Sequence, residues 1–237
     1  MLRKSIPLII GTMFLALSAC APAASQPPAA SSQAPGQAVG PVAAATTAPS
    51  DSGPAPSGGV RFTVASGQSE ARYRVREQLV ESPLPSDAVG STKTLSGSLT
   101  FAADGNIVKD LSRFEIDASS FRSDRDLRDN FLRRSTLQTG QFPKIAFVPT
   151  EVKGLPSPLP TSGEHAFQIL GDLTVKNATA PVTWQATASF SGQEVMVKAN
   201  TSLTFADIKL QKPSVPVLLS LQDIIKLELD ATLTRAA

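Results

Sequence analysis

The feature that most constrains this chain is a period-two alternation of apolar and polar residues along most of its length after residue 60. Successive side chains of a β-strand point to opposite faces, so this pattern predicts strands with one buried face. The long alternating segments are 95–101, 167–175, 182–190, 195–205 and 225–233, and the shorter ones are 62–64, 71–75, 114–118 and 145–147. About eight or nine strands are therefore predicted.

Turn sequences separate many of these strands, for example Asp104-Gly105-Asn106 and Ser191-Gly192. Most connections are too short for a crossover helix, which predicts an antiparallel sheet. One-faced strands form either a sandwich or a barrel, and the alternation alone allows both. A barrel of about eight strands is either filled by its side chains or holds one small ligand. Small residues at inward positions favour room for a ligand: Gly97, Gly171, Ala186, Ala188, Ala199 and Ala231.

Residues 124–134 interrupt the alternation and predict a short helix across one end of the sheet. Leu127 and Phe131 are four residues apart, which is the spacing of neighbours on one helical face. We expect Ser123 or Asp124 to cap the start of this helix, because a side-chain oxygen there satisfies a free backbone N–H group.

Charged residues on the predicted helix have two interpretations. Four arginines, Arg125, Arg128, Arg133 and Arg134, could bind an anionic headgroup, because arginine pairs with phosphate through two parallel hydrogen bonds. The alternative, which we favour, is a charge network of Arg125, Asp126 and Arg128 that fixes the helix to the barrel.

The N-terminus predicts export. Residues 1–19 comprise a basic start, an apolar run at 6–17 and small residues before Cys20, which is typical of a secretory signal. The run is too short for a membrane-spanning helix. Leu17-Ser18-Ala19-Cys20 resembles the lipobox of bacterial lipoproteins, in which the cysteine is lipidated. An ordinary signal peptide cut after Ala19 is the alternative. We expect an extracytoplasmic protein that Cys20 anchors to the cell envelope, on the periplasmic or cell-surface face.

Residues 20–59 are predicted to be a disordered linker. They are rich in Ala, Pro, Ser and Gly and contain no aromatic residue, so they cannot bury enough apolar surface to offset the entropy of ordering. The linker would serve as a spacer, and a low-complexity insertion without selected length is the alternative. Residues 60–237 have the length of one domain with its own core.

Several function classes are disfavoured by composition. The formal net charge is only +2 and no basic stripe is interleaved with aromatic residues, so we expect no nucleic-acid partner. His165, the only histidine, is expected in a solvated loop, and Cys20, the only cysteine, lies outside the domain. The sequence has no metal-ligand spacing and no glycine-rich phosphate loop. We therefore predict no catalytic residue, no metal and no cofactor, and expect that the protein is not an enzyme.

Six blocks in order resemble the YceI-like domain family. They are Ser69-Glu70-Ala71-Arg72-Tyr73, Ala88-Val89-Gly90 with the segment 95–99, the Arg-Asp helix 125–132, Phe142-Pro143-Lys144-Ile145-Ala146-Phe147, Gly171-Asp172-Leu173-Thr174-Val175 with 180–182, and the closing strand 223–231. The resemblance covers nearly all of residues 60–237. Residues 77–85 lack the His-x-Gly block that many members carry, which places the chain in a divergent branch.

The resemblance implies an extended, lipocalin-like antiparallel barrel with one short helix, which binds a long isoprenoid or similar amphiphile. Aromatic residues that would line such a cavity, or form ordinary core, are Phe101, Phe114, Phe147, Trp184, Phe190 and Phe205. The expected partners are an isoprenoid-like or other lipid-like molecule and, through lipidated Cys20, a membrane. The alternative function is a surface interaction module with a filled core and no ligand.

One further segment is apolar yet contains two prolines, which disfavour a central strand. Residues 211–220 are compatible with a lid over a barrel mouth, a partner-binding edge or a strand crossing.

Overall fold

The computed structural model describes residues 56–236, so the predicted signal peptide, Cys20 and residues 20–55 of the predicted linker lie outside the described residues. Eleven strands and one α-helix are described: β1 (Val60–Val64), β2 (Glu70–Leu79), β3 (Ser86–Thr92), β4 (Leu95–Phe101), β5 (Arg113–Asp117), β6 (Arg122–Ser123), α1 (Asp126–Phe131), β7 (Lys144–Lys153), β8 (Ser162–Val175), β9 (Ala178–Ser191), β10 (Glu194–Thr204) and β11 (Leu218–Arg235). Within this part of the chain, no helix has the length and apolar character needed to cross a membrane.

The strands form one antiparallel sheet that closes on itself. From β1 the order runs β4, β5, β7, β8, β9, β10 and β11, and β11 pairs with β1 again. One edge of β11 pairs with β10. Its other edge pairs first with β2, where Leu229 lies opposite Ala71, and then with β1, where Leu233 lies opposite Val64. The ring therefore has eight strand positions, which confirms the predicted all-β, lipocalin-like barrel and excludes the sandwich.

Three of the eight positions are each occupied by two successive strands. In the first position β2 follows β1 after an interruption at residues 65–69. In the second, β3 precedes β4 with an interruption at 93–94, and in the third, β6 follows β5 after an interruption at 118–121. Polar contacts hold two of these interruptions. The hydroxyls of Thr92 and Ser120 lie 2.5 Å apart, and the N–H of Thr232 in β11 donates to Ser69 Oγ at 3.0 Å. Interruptions of this kind increase strand bending, which allows a narrow sheet to close.

One end of the barrel is closed by packed side chains. Phe62, Phe101 and Phe190 lie in a buried cluster there, and the rings of Phe62 and Phe101 meet edge to face at 6.1 Å. Leu155 and Leu159, from the connection between β7 and β8, pack against this cluster. The opposite end carries α1 and the connections from β2 to β3 and from β10 to β11. The two ends therefore differ in how tightly side chains fill them.

The helical segment lies two residues later in the chain than the predicted 124–134. It starts at Asp126 and continues as a π-helical turn over Leu132–Thr136. The predicted cap by Ser123 or Asp124 is wrong, because Arg125 precedes the first turn and provides no capping side chain. Ser123 instead donates from its backbone N–H and its hydroxyl to the buried carboxylate of Asp129, at 3.0 and 2.7 Å.

The sequence predicts that Leu127 and Phe131 share an apolar face of the helix. In the structure Leu127 does not face the core, because it is 84% exposed. The hydrogen bonds from Ser123 satisfy the Asp129 carboxylate on the buried side of α1. Leu127 is two residues away, on nearly the opposite side of the helix, and therefore points away from the core. A buried carboxylate with full hydrogen bonding thus determines which side of α1 faces the barrel.

Replacing Gly97 by alanine should destabilise the barrel. Gly97 in β4 has a φ of +142°, and an added Cβ would lie 2.2 Å from the carbonyl oxygen of Arg113. Both strain and overlap must be relieved, so we expect the free energy of unfolding to fall by about 1–3 kcal/mol. Denaturant unfolding followed by circular dichroism measures it. Gly140→Ala is the matched control, because an added Cβ there meets open space; equal effects of the two variants would contradict the analysis.

Candidate functional site

The centre of the barrel contains a cavity of about 890 Å³ with overwhelmingly apolar walls. This volume lies within the range of small-molecule sites in proteins, which is roughly 300–1,000 Å³. The walls include exposed residues of the α1 end, such as Leu127 and Val217, so the cavity opens to the surface there. The barrel is therefore not filled by its own side chains, which disagrees with the alternative of a filled core.

Inward-facing residues of many strands line the cavity. Its deep part is bounded by Val64, Leu99 and Leu233, and the part towards α1 by Val75 and Leu203. These residues occupy the apolar positions of the period-two pattern, so the alternation of the sequence produces the apolar lining directly.

The small inward residues contribute less space than expected. Ala199 and Ala231 do line the cavity, whereas Ala186 and Ala188 pack in the cluster at the closed end. At Gly171, the position of an added Cβ is already taken by the Phe147 ring and the carbonyl oxygen of Val148. Gly97 is likewise covered, by the backbone of β5. Glycine here permits close approach of neighbouring groups and does not leave a void.

The structure divides the six aromatic candidates into two groups. Phe114, Phe147, Trp184 and Phe205 line the cavity, whereas Phe101 and Phe190 lie in the closed-end cluster. Contact of any of the six with a ligand stays a prediction.

Trp184 holds a central position in the cavity wall. It packs against both buried clusters of the barrel, and its ring meets Phe147 edge to face at 6.0 Å. Among the described residues its indole N–H is buried without an acceptor. Since Trp184 is the only tryptophan of the chain, its fluorescence reports directly on the cavity.

Four more aromatic rings line the cavity and were not selected from the sequence: Tyr73, Phe121, Phe131 and Phe167. Tyr73 and Phe167 occupy apolar positions of alternating segments, so the pattern held the signal for both. Phe121 precedes β6 and contacts the ring of Tyr73 edge to face at 5.5 Å. Gly90 accommodates this pair, since an added Cβ there would lie 2.3 Å from the Tyr73 ring.

Ion pairs connect α1 to β2 at the open end. Arg128 pairs with Glu77 at 2.5 Å, and both side chains are largely buried. Arg128 also pairs with Asp124, and this hydrogen bond lowers the pKa of the Asp124 carboxyl below its usual value. Arg125 pairs with Glu81 in the connection after β2. Breaking a pair as buried as Glu77 and Arg128 leaves an uncompensated charge, so the pair holds α1 in place.

Asp126, the other charged candidate, is the first residue of α1; its side chain is exposed and borders the cavity opening. Arg125 and Arg128 border the same opening. Arg125 and Arg128 form ion pairs with Glu81 and Glu77, whereas no ion pair of Asp126 is found among the described residues. The predicted roles of these three residues, as a structural charge network or as a headgroup site, stay predictions.

His165 lies in β8, not in the loop predicted from the sequence, because β8 already begins at Ser162. Its Nε2 atom lies 3.3 Å from the carbonyl oxygen of Ser162, and its ring meets Phe190 edge to face at 5.8 Å. Residues 56–236 contain no group of three or more His, Cys, Asp or Glu side chains arranged to hold a metal ion.

The proline-containing segment forms part of the wall at the opening. Pro213, Val215 and Val217 border the cavity, and β11 begins at Leu218. The N–H of Val80 donates to the carbonyl of Val217 at 3.0 Å, which ties this segment to the end of β2.

Comparison with known proteins agrees with this architecture. A model of the YceI-like domain family matches residues 62–233. A polyisoprenoid binding domain from Saccharophagus degradans, implicated in plant cell wall breakdown, has a TM-score of 0.56 at 11% identity, covering 74% of this chain and 98% of that chain. Burkholderia cenocepacia BcnA has a TM-score of 0.53 at 15% identity, covering 73% and 99%. At these identities the two structures show a shared fold. No curated protein matches the chain in sequence.

Burial raises the pKa of Tyr73 to about 12. Tyr73 is the only tyrosine, so tyrosinate absorbance reports this group alone. Between the unfolded pKa of about 10 and the folded value, the unfolded chain loses this proton first, so stability falls as pH rises. After rapid mixing to about pH 11, we expect Tyr73 to stay protonated until the barrel unfolds. Ionisation within the mixing time, with circular dichroism unchanged, would mean that water reaches the phenol.

Proposed function

The chain belongs to the YceI-like domain family, and from this membership and the open cavity we propose that it binds a long apolar or amphiphilic molecule of the isoprenoid class. The single observation that carries the proposal is the apolar cavity of about 890 Å³ inside the barrel. The description of the Saccharophagus degradans domain as polyisoprenoid binding supports this ligand class.

The chemistry of the walls suits a hydrocarbon chain. Each CH₂ group moved from water into such a site contributes about 0.8 kcal/mol, and the immobilisation of ligand and side chains offsets part of that gain. The apolar tail therefore supplies most of the affinity, and shape sets the accepted length. A polar end group would remain near Glu77 and Arg128 at the opening, where charged side chains meet the cavity.

The same reasoning favours a carrier over an enzyme. The cavity has few polar groups to bind or activate a reacting atom, and His165 packs against Phe190 of the closed-end cluster, away from the opening. A site built almost entirely from aliphatic and aromatic side chains selects its guest by burial and shape.

The place of action is proposed from the N-terminal sequence. Lipidation of Cys20 would attach the protein to the cell envelope outside the cytoplasm, and residues 20–59 would form a spacer between this anchor and the barrel. Several acyl chains on one cysteine give stable anchoring, whereas a single chain binds only marginally.

Filling the cavity should abolish ligand binding. Ala199 lines the cavity on β10, so Ala199→Phe places a ring in the space of the ligand. Titration with isoprenoid alcohols of graded length, read out by Trp184 fluorescence, should show saturable binding that weakens by about tenfold or more in this variant. Met196→Phe is the matched control, because Met196 lies on the outer face of the same strand.

Solvent extraction of the purified protein followed by mass spectrometry identifies a ligand bound in the cell. We expect a stoichiometric isoprenoid-like or other lipid-like compound. If no lipid is extracted and no isoprenoid alcohol changes the fluorescence of Trp184, the proposal is wrong.

Anchoring is tested by metabolic labelling with radioactive palmitate. We expect label in the native chain and none in Cys20→Ser, which should leave the membrane fraction or accumulate with its signal uncut. Equal labelling of both forms would show that acylation does not occur at Cys20.

A further inference from the structure

Large apolar side chains are exposed mainly at one end of the barrel. Among the described residues, seven large apolar side chains are at least half exposed: Val80, Leu84, Leu127, Met196, Val217, Leu219 and Ile224. Five of these lie around the cavity opening and are called the rim here: Val80, Leu84, Leu127, Val217 and Leu219. Scattered single apolar residues are normal on a protein surface, but a group at one place indicates an interaction site.

The rim is continuous with the cavity. Val80, Leu127 and Val217 border the cavity itself, and the bond from Val80 N–H to Val217 O joins two of its segments. Leu84 lies in the connection after β2, and Leu219 is the second residue of β11. Apolar side chains thus lead from the interior of the barrel to the outside, and the charged side chains of Arg125, Asp126 and Arg128 lie beside them at the opening.

We propose that the rim docks on a phospholipid membrane, so that a ligand passes between bilayer and cavity without crossing water. This inference rests on the proposed function, because it supplies the route for the apolar ligand. A hydrocarbon chain that left the cavity through water would lose the favourable burial of every CH₂ group. Contact between rim and bilayer removes that barrier, and it also covers the exposed apolar side chains.

The length of chain outside the described residues allows this orientation. β1 starts at the closed end, where Val60 pairs with Phe101, so the preceding chain joins the barrel opposite the rim. About 36 residues separate Cys20 from Pro56, and a chain of that length spans up to on the order of 120 Å. The 14 residues of β9 correspond to roughly 46 Å. A barrel anchored at Cys20 can therefore turn its rim towards the same membrane.

Depth-dependent quenching tests the docking directly. The full lipidated chain carrying Trp184→Phe is reconstituted into phosphatidylcholine–phosphatidylglycerol vesicles with brominated acyl chains, and a single indole is introduced by Leu84→Trp. Met196→Trp is the matched control, because Met196 is also exposed but lies on β10 near the closed end. We expect bromine to quench the indole at position 84 at least about threefold more than that at position 196, since only the rim enters the acyl region.

Equal quenching at both positions, or none at position 84, overturns the docking. So does a rim-to-rim dimer, which would show as a concentration-dependent change in sedimentation and would shield position 84 in the absence of vesicles.

A second measurement separates this inference from the proposed function. Leu84 and Leu219 belong to the rim but do not border the cavity, so Leu84→Glu with Leu219→Glu weakens docking without altering the site. Uptake of an isoprenoid alcohol from vesicles by Trp184 fluorescence should slow about tenfold, while binding from detergent-free solution is unchanged. If the variant takes up the alcohol from vesicles as fast as the native chain does, the docking proposal is wrong and the ligand proposal stands. If the native chain binds the alcohol from neither source, the ligand proposal is wrong.

Discussion

The structure depends on hydrogen bonding along both edges of β11. One edge pairs with β10 over the whole length of that strand, and the other pairs with β2 and then β1. This leaves the ring without a free strand edge at β11, which is the condition for a closed barrel. Once the ring is closed, every apolar face of the alternating strands points to the same interior.

Closure by backbone hydrogen bonds also explains how the cavity persists. An empty apolar space destabilises a protein, because the atoms that line it lose contacts. In this barrel the main-chain pairing does not require a filled interior, and packed clusters at the closed end and beside Trp184 support the walls. A bound hydrocarbon would restore the missing contacts, so binding of such a ligand would stabilise the fold.

Polar groups determine the form of the open end. The buried carboxylate of Asp129, bonded by Ser123, orients α1, and the pair of Glu77 with Arg128 fastens α1 to β2. These contacts hold Leu127 outward, at the edge of the cavity. The interactions that fix the helix therefore place Leu127 at the opening of the cavity.

The alternation by itself determined most of the strands and the apolar character of the interior, because side-chain direction in a strand follows from position alone. The short connections determined the antiparallel pairing. The short strands β3 and β6 lie outside the alternating segments. The choice of barrel over sandwich was decided only by tertiary pairing, since β11 meets β1 and β2 far away in sequence. The tertiary structure also decided that Phe114 borders the cavity, whereas Phe101 packs in the cluster at the closed end. Alternation assigns a residue to a face, whereas the filling of space at each level of the barrel depends on all strands together.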